Sequence, residues 1–167
     1  IWIKKNKEKC NKFYKLSDKE SGQSSKSKIK KVSKILIKNR TDLQFISAPE
    51  NVAWLLNLRG SDSEFTPIPN SYLILDNKNK AYFFCNLKKI TKKLKKDLRD
   101  VVILSIRDID QFFLNLNNKV VQIDNNSCSI FFKNIIKKKN LIIEKKDPVY
   151  FFKSIKNKIE IKNTIKA

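Results

Sequence analysis

The stretch SYLILDNKNKAYFFCNLKKITKKLKKDLRDVVILSIRDIDQFFLNLNNKVVQIDNNSCSIFFKNIIKKKNLIIE, residues 71–144, decides the fold class. Its first two apolar runs, Ser71 to Leu75 and Ala81 to Cys85, flank Asp76-Asn77-Lys78-Asn79, which is turn chemistry, and predict an antiparallel hairpin. Leu87, Ile90, Leu94 and Leu98 then recur among charges and predict a helix over 87–98. Val101 to Leu104 reads as a buried strand, Ile109 to Leu116 as a helix, and Lys119 to Ile123 as a strand. Cys128 to Ile136 reads as a helix and Leu141 to Ile143 as a short strand. A hairpin followed by alternating strands and helices predicts an α/β domain, a mixed sheet covered by helices.

Upstream, Ile29, Val32, Ile35 and Leu36 fall at helical spacing behind a capping Ser24 or Ser25, and Leu43, Phe45 and Ile46 form a strand that Pro49 terminates. Val52, Trp54, Leu55, Leu56 and Leu58 make a dense apolar segment ended by Arg59-Gly60, and Pro67 and Pro69 keep the next few residues extended. Residues 1–23 lack such periodicity and read as a linker from a preceding domain. The α/β domain is expected over 24–147. Residues 148–167 read as a connection and the first helix of a following domain.

Composition narrows the chemistry. The 167 residues carry 37 Lys+Arg against 16 Asp+Glu, a formal charge of +21, with 41% hydrophobic residues, enough for one packed domain. Histidine is absent, so neither a His-containing metal centre nor a Ser/His/Asp triad can be built from this chain alone. Methionine is also absent and the first residue is Ile1, which reads as a piece of a longer protein. No apolar stretch approaches the roughly 20 residues of a membrane span, and IWIKKNKEK lacks the apolar core of a signal peptide, so a cytoplasmic location is expected. Cys10, Cys85 and Cys128 show no CxxC or zinc-ribbon spacing and read as structural residues of a reducing compartment.

The positive charge is a weak pointer to nucleic acid. Thirty-three of the basic residues are lysine, beside 22 isoleucines and 18 asparagines, a set that AT-rich codons alone produce. Most aromatics sit within apolar runs such as Ala81-Tyr82-Phe83-Phe84, where a core is the expected destination and not a stacking surface. Two glycines 38 residues apart make no phosphate loop, and Asp97/Asp100 and Asp108/Asp110 lie among lysines on helix surfaces.

One segment departs from this lysine-rich background: Asn51-Val52-Ala53-Trp54-Leu55-Leu56-Asn57-Leu58-Arg59-Gly60-Ser61-Asp62, followed by Pro67. It places a guanidinium and a carboxylate at a helix-to-strand junction, where Arg59 and Asp62 either face a cleft or pair with each other to tie down the turn. Gly60 marks a backbone position that other residues resist.

This run resembles the signature of the middle domain of three-domain Xaa-Pro aminopeptidases, the aminopeptidase P group of creatinase-like metallopeptidases. Gly22-Gln23-Ser24-Ser25 with Lys28, Ile29 and Val32 resembles that domain's opening, and Asp147-Pro148, Lys153, Lys156-Asn157 and Glu160 its exit. Ile1-Trp2 is similar to the end of the first domain, whereas Asn163 and Ile165 depart from a usual glycine and basic residue at the exit.

The resemblance implies a non-catalytic, creatinase N-terminal-like domain that helps shape a substrate cleft. Its partners would be an N-terminal domain and a C-terminal "pita-bread" catalytic domain of the same polypeptide, and a homodimer is compatible with it. The family's two divalent metals, usually manganese, are held by two Asp, one His and two Glu of the catalytic domain, and its substrates are peptides with proline second. No catalytic residue and no metal ligand is expected here. The residues carried over are Asn57, Leu58, Arg59, Gly60, Ser61, Asp62 and Pro67, with Arg59 and Asp62 expected at the cleft rim and Trp54 and Tyr72 supporting them, Trp54 as a core residue ahead of a substrate contact. The alternatives are a stand-alone basic α/β module for nucleic acid or an anionic surface, and a degenerate scaffold without its catalytic half.

Overall fold

The computed structural model describes residues 11–166, so the readings of Ile1-Trp2 and Cys10 lie outside the described residues. Strands β1 (Tyr14–Lys15), β2 (Leu43–Ile46), β3 (Leu58–Arg59), β4 (Ser71–Asp76), β5 (Ala81–Cys85), β6 (Val101–Ser105), β7 (Val120–Ile123) and β8 (Leu141–Glu144) alternate with helices. These are α1 (Asp18–Ser21), α2 (Ser25–Lys38), α3 (Pro49–Leu56), α4 (Lys92–Asp97), α5 (Ile109–Asn115), α6 (Ile130–Lys137), α7 (Pro148–Ser154) and α8 (Lys158–Lys166). Six strands form one mixed sheet in the order β6-β5-β4-β2-β7-β8. β4 pairs antiparallel with both β2 and β5, while β5/β6, β2/β7 and β7/β8 are parallel. The predicted α/β class, mixed sheet and hairpin are all present.

Strand alternation divides the core into two layers. Ile46, Leu73, Leu75 and Phe83 face α2, α3 and α4, whereas Phe45, Ile74 and Phe84 face α5 and α6. The second layer is aromatic: Phe45 meets Phe113 and Phe132 edge-on at centroid separations of 5.0 and 5.3 Å. Local chemistry starts and stops the elements. Ser24 Oγ accepts from Ser27 N–H at the head of α2, Pro49 opens α3, and Asp76 Oδ1 accepts from the N–H groups of Lys78 and Lys80 in the hairpin turn. Cys85 lies within the core, where burial pushes its thiol up to about 12.

Four expectations are corrected. First, residues from Phe13 onward are not a linker: Phe13 is 2% exposed within the core, β1 pairs with β3, and α1 closes in a Ser17/Glu20 capping box. Phe13 fits there because Gly60 has no side chain; a Cβ at Gly60 would stand 3.0 Å from both Phe13 Cδ1 and Pro69 Cα. Second, residues 87–98 are two pieces, a 3₁₀ turn at Leu87–Lys89 and α4, separated by extended Ile90 and restarted by Thr91, whose Oγ1 accepts from Leu94 N–H. The break follows from Lys89, which is buried and reaches Asp62 at 2.6 Å. Third, β6 is an edge strand, with Val102 36% exposed. Fourth, residues 148–154 pack as α7 onto the domain through fully buried Val149.

Candidate functional site

Helix α3 ends at Asn57 in the left-handed conformation (φ 57°, ψ 30°), which asparagine tolerates. Its buried amide joins three segments: Oδ1 accepts from Lys28 Nζ at 2.7 Å, and Nδ2 donates to Ser21 Oγ at 3.0 Å and Gln23 O at 2.9 Å. Lys28 Nζ also donates to the Trp54 carbonyl at 2.9 Å and lies 4.0 Å from the Trp54 ring centroid. A cation at a helix C-terminus and under an indole is favourable on both counts. Burial pushes the Lys28 ammonium down to about 8; Glu160 opposes that shift and Arg59 reinforces it.

Beyond Asn57 the chain alternates inward and outward. Leu58 is buried in the core, and Arg59, half-buried in β3, donates from Nη1 to the Leu58 carbonyl at 2.7 Å. Gly60 N–H donates to Pro67 O at 3.1 Å. Asp62 does not tie the turn through Arg59: its Oδ1 pairs with Lys89 and its Oδ2 accepts from Asn70 N–H at 2.7 Å. Ser61 is exposed.

Arg59 and Trp54 line one groove of about 490 Å³, which Pro67 and Ile68 also line, together with Lys153 of α7, Lys156 of the α7–α8 connection and Glu160 of α8. The Trp54 indole N–H donates to Glu160 Oε1 at 3.3 Å, so α8 is tied to the signature run. Tyr72 is not part of this group. It lies on the other face of the sheet, with ring centroids 5.8 Å from Phe45 and 5.2 Å from Phe132. Of the two residues expected at the rim and the two expected to support them, the structure brings Arg59 and Trp54 into the groove, uses Asp62 as a tether, and sends Tyr72 to the aromatic layer.

Two residues with structural weight at the site, Asn51 and Lys28, were named only as part of the resemblance and given no role. Asn51 is fully buried, donates to Asp147 Oδ2 at 2.8 Å and accepts from Lys153 Nζ at 2.8 Å, which docks α7 on α3. Lys28 holds the α3 terminus. Each leaves a sequence signal: Asn51 is a polar residue inside an apolar helix, and Lys28 sits on the face that Ile29, Val32 and Leu36 bury.

Among the described residues, no group of three or more His, Cys, Asp or Glu side chains is placed to hold a metal ion. The donor set among the described residues does not fit a dinuclear centre. Also among the described residues, no helix is long and apolar enough to cross a membrane.

Residues 4–160 match the family model of the Creatinase/Prolidase N-terminal domain. The chain belongs to that family. Xaa-Pro aminopeptidase 1 of Dictyostelium discoideum is 34% identical over 154 residues, covering 90% of this chain and 24% of the relative. Xaa-Pro aminopeptidase ApepP of Drosophila melanogaster is 28% identical over 162 residues, covering 94% and 26%. The crystal structure of the X-prolyl aminopeptidase of Caenorhabditis elegans, a cytosolic enzyme with a di-nuclear active site, superposes with a TM-score of 0.82 at 20% identity. That superposition covers 91% of this chain and 26% of the worm enzyme, and it shows the shared fold. The chain thus spans about a quarter of the length of these relatives.

Proposed function

We propose that this chain is the non-catalytic middle domain of a cytoplasmic Xaa-Pro aminopeptidase and that its Arg59–Trp54 groove forms part of the substrate cleft. The observation that carries the reading is the placement of Arg59 and Trp54 in one groove with Lys153 of α7 and Glu160 of α8, the segments leading out of the domain. On this reading the hydrolysis of the bond before proline, with its two divalent metals, manganese by resemblance, belongs to a catalytic domain outside this chain. The groove contributes by restricting and orienting the peptide: a wall that holds the chain in register lowers the entropy lost on reaching the reactive geometry. Its partners are the other domains of the same polypeptide and peptides with proline second.

The reading as a stand-alone nucleic-acid module is not favoured: Phe83, Phe84 and Phe132 are buried away from the basic surface, and the exposed Phe65, Phe131 and Phe151 lie on separate segments of the fold. In the complete enzyme, Arg59→Ala is expected to raise KM or lower kcat on an Xaa-Pro peptide while the thermal melt stays unchanged. Wild-type kinetics would overturn the cleft role. Absence of Xaa-Pro cleavage by the complete wild-type protein would instead favour a scaffold that has lost its chemistry.

A further inference from the structure

We propose that the groove recognises a carboxylate on the bound peptide, and that the Arg59 guanidinium is its receptor. The inference rests on the groove being part of the substrate cleft and adds what that cleft selects. It starts from hydrogen-bond accounting. A guanidinium has five N–H donors in a planar fork matched to a carboxylate, yet Arg59 directs only one bond, from Nη1 to the Leu58 carbonyl, among the described residues. Arg59 is half-buried and its guanidinium has no carboxylate partner among the described residues, which leaves the fork able to take one from a ligand.

The groove's own acids are already engaged. Glu20 accepts from the Ser17 N–H and Oγ at 2.7 Å, Glu50 accepts from Tyr150 Oη at 2.9 Å, and Glu160 accepts from Trp54 and from Asn157 N–H. The other cations are held as well: Lys28 by Asn57 and Trp54, Lys153 by Asn51, and Lys156 by the Lys153 carbonyl at 2.6 Å. Four cations line the groove against three carboxylates, so the local balance favours an incoming anion. Trp54, Pro67 and Ile68 supply apolar surface beside the fork for the aliphatic part of a peptide. A groove of about 490 Å³ falls within the usual range for ligand pockets.

The carboxylate could be the peptide's C-terminus or an acidic side chain, and four peptides separate the two sources. Xaa-Pro-Gln is prepared as free acid and as C-terminal amide, and Xaa-Pro-Glu likewise. The complete enzyme, wild type and Arg59→Gln and Arg59→Lys, is assayed on all four. The expected result is a wild-type kcat/KM about tenfold higher for at least one carboxylate-bearing peptide than for Xaa-Pro-Gln amide, equivalent to about 1.4 kcal/mol. That ratio should fall to about one in Arg59→Gln and lie between in Arg59→Lys, which keeps the charge and loses the fork. A preference for both free acids assigns the C-terminus; a preference for Glu over Gln in the amides assigns the side chain. Each ratio is taken on one preparation, so any inactive fraction cancels.

A wild-type enzyme that treats all four peptides alike overturns the proposal. So does an Arg59→Gln variant that loses activity equally on all four, although the cleft reading then stands. Wild-type values for Arg59→Gln on every peptide would defeat both.

Discussion

Replacing Gly22 by alanine tests how α8 is fastened to the domain. Gly22 closes α1 with φ 70° and ψ −3°, donating its N–H to Asp18 O at 2.9 Å. An alanine in this left-handed region is strained by about 1–2 kcal/mol. Its Cβ would also overlap the Asn157 amide, standing 2.8 Å from Cγ and 2.9 Å from Nδ2. Asn157 cannot yield freely, because its Nδ2 donates to Ser21 O at 2.9 Å and its Oδ1 accepts from the N–H groups of Ile159 and Glu160 at 2.9 and 3.0 Å. Displacing it removes the N-cap of α8 and one buried-side hydrogen bond, about 1 kcal/mol each. Gly22→Ala should therefore destabilise the chain by roughly 3–4 kcal/mol. In an Asn157→Ala background only the backbone strain remains, which predicts a coupling of about 2 kcal/mol in the double-mutant cycle. Urea denaturation of the four proteins gives the cycle, and faster hydrogen exchange at α8 amides locates the damage. An equal penalty in both backgrounds, or one below about 0.5 kcal/mol, would refute the latch.

Asp147 makes stability depend on pH. Burial is the main cause that raises its carboxyl from 3.8 to about 6, against opposing hydrogen bonds from Val149 N–H and Asn51. A raised folded value means the native state binds the proton more tightly. Its contribution is therefore complete below pH 4 and is lost as pH rises through 6. Relative to Asp147→Asn, the wild type should lose roughly 2–3 kcal/mol between those limits; parallel urea-midpoint profiles for the two proteins would rule this out. Tyr72→Phe keeps the ring that packs on Phe45 and Phe132 and touches nothing in the groove. The complete enzyme should keep its wild-type kcat and KM, and a changed KM would return Tyr72 to the cleft.

The layers of the fold were legible because they depend on local pattern. Turn residues between two apolar runs mark the hairpin, and period-2 alternation at Phe45/Ile46, Ile74/Leu75 and Phe83/Phe84 sorts side chains onto the two faces. What escaped depends on a distant partner. Lys89 looks like any of 33 lysines until Asp62, 27 residues earlier, draws it into the protein and breaks the helical run after it. Phe13 stands beside Tyr14 in a polar stretch, and the gap above Gly60 explains why it is Phe13 that is buried while Tyr14 is exposed.

At the site, composition located the signature run but could not sort its residues, because most of them build the groove and do not face it. Asn51 holds α7, Asn57 joins α3 to α2 and to the α1 end, Leu58 fills the core, and Gly60 makes room for Phe13. Whether Arg59 faces outward was open as long as Asp62 was its natural partner in the sequence. The Lys89 ammonium takes that carboxylate at 2.6 Å. Had Asp62 closed on Arg59, the guanidinium fork would have been occupied within the turn; with Lys89 in its place, the fork remains beside Trp54 with four donors directed at no described neighbour. The tether that breaks the helical run at Lys89 is thus also what leaves an arginine available to the groove.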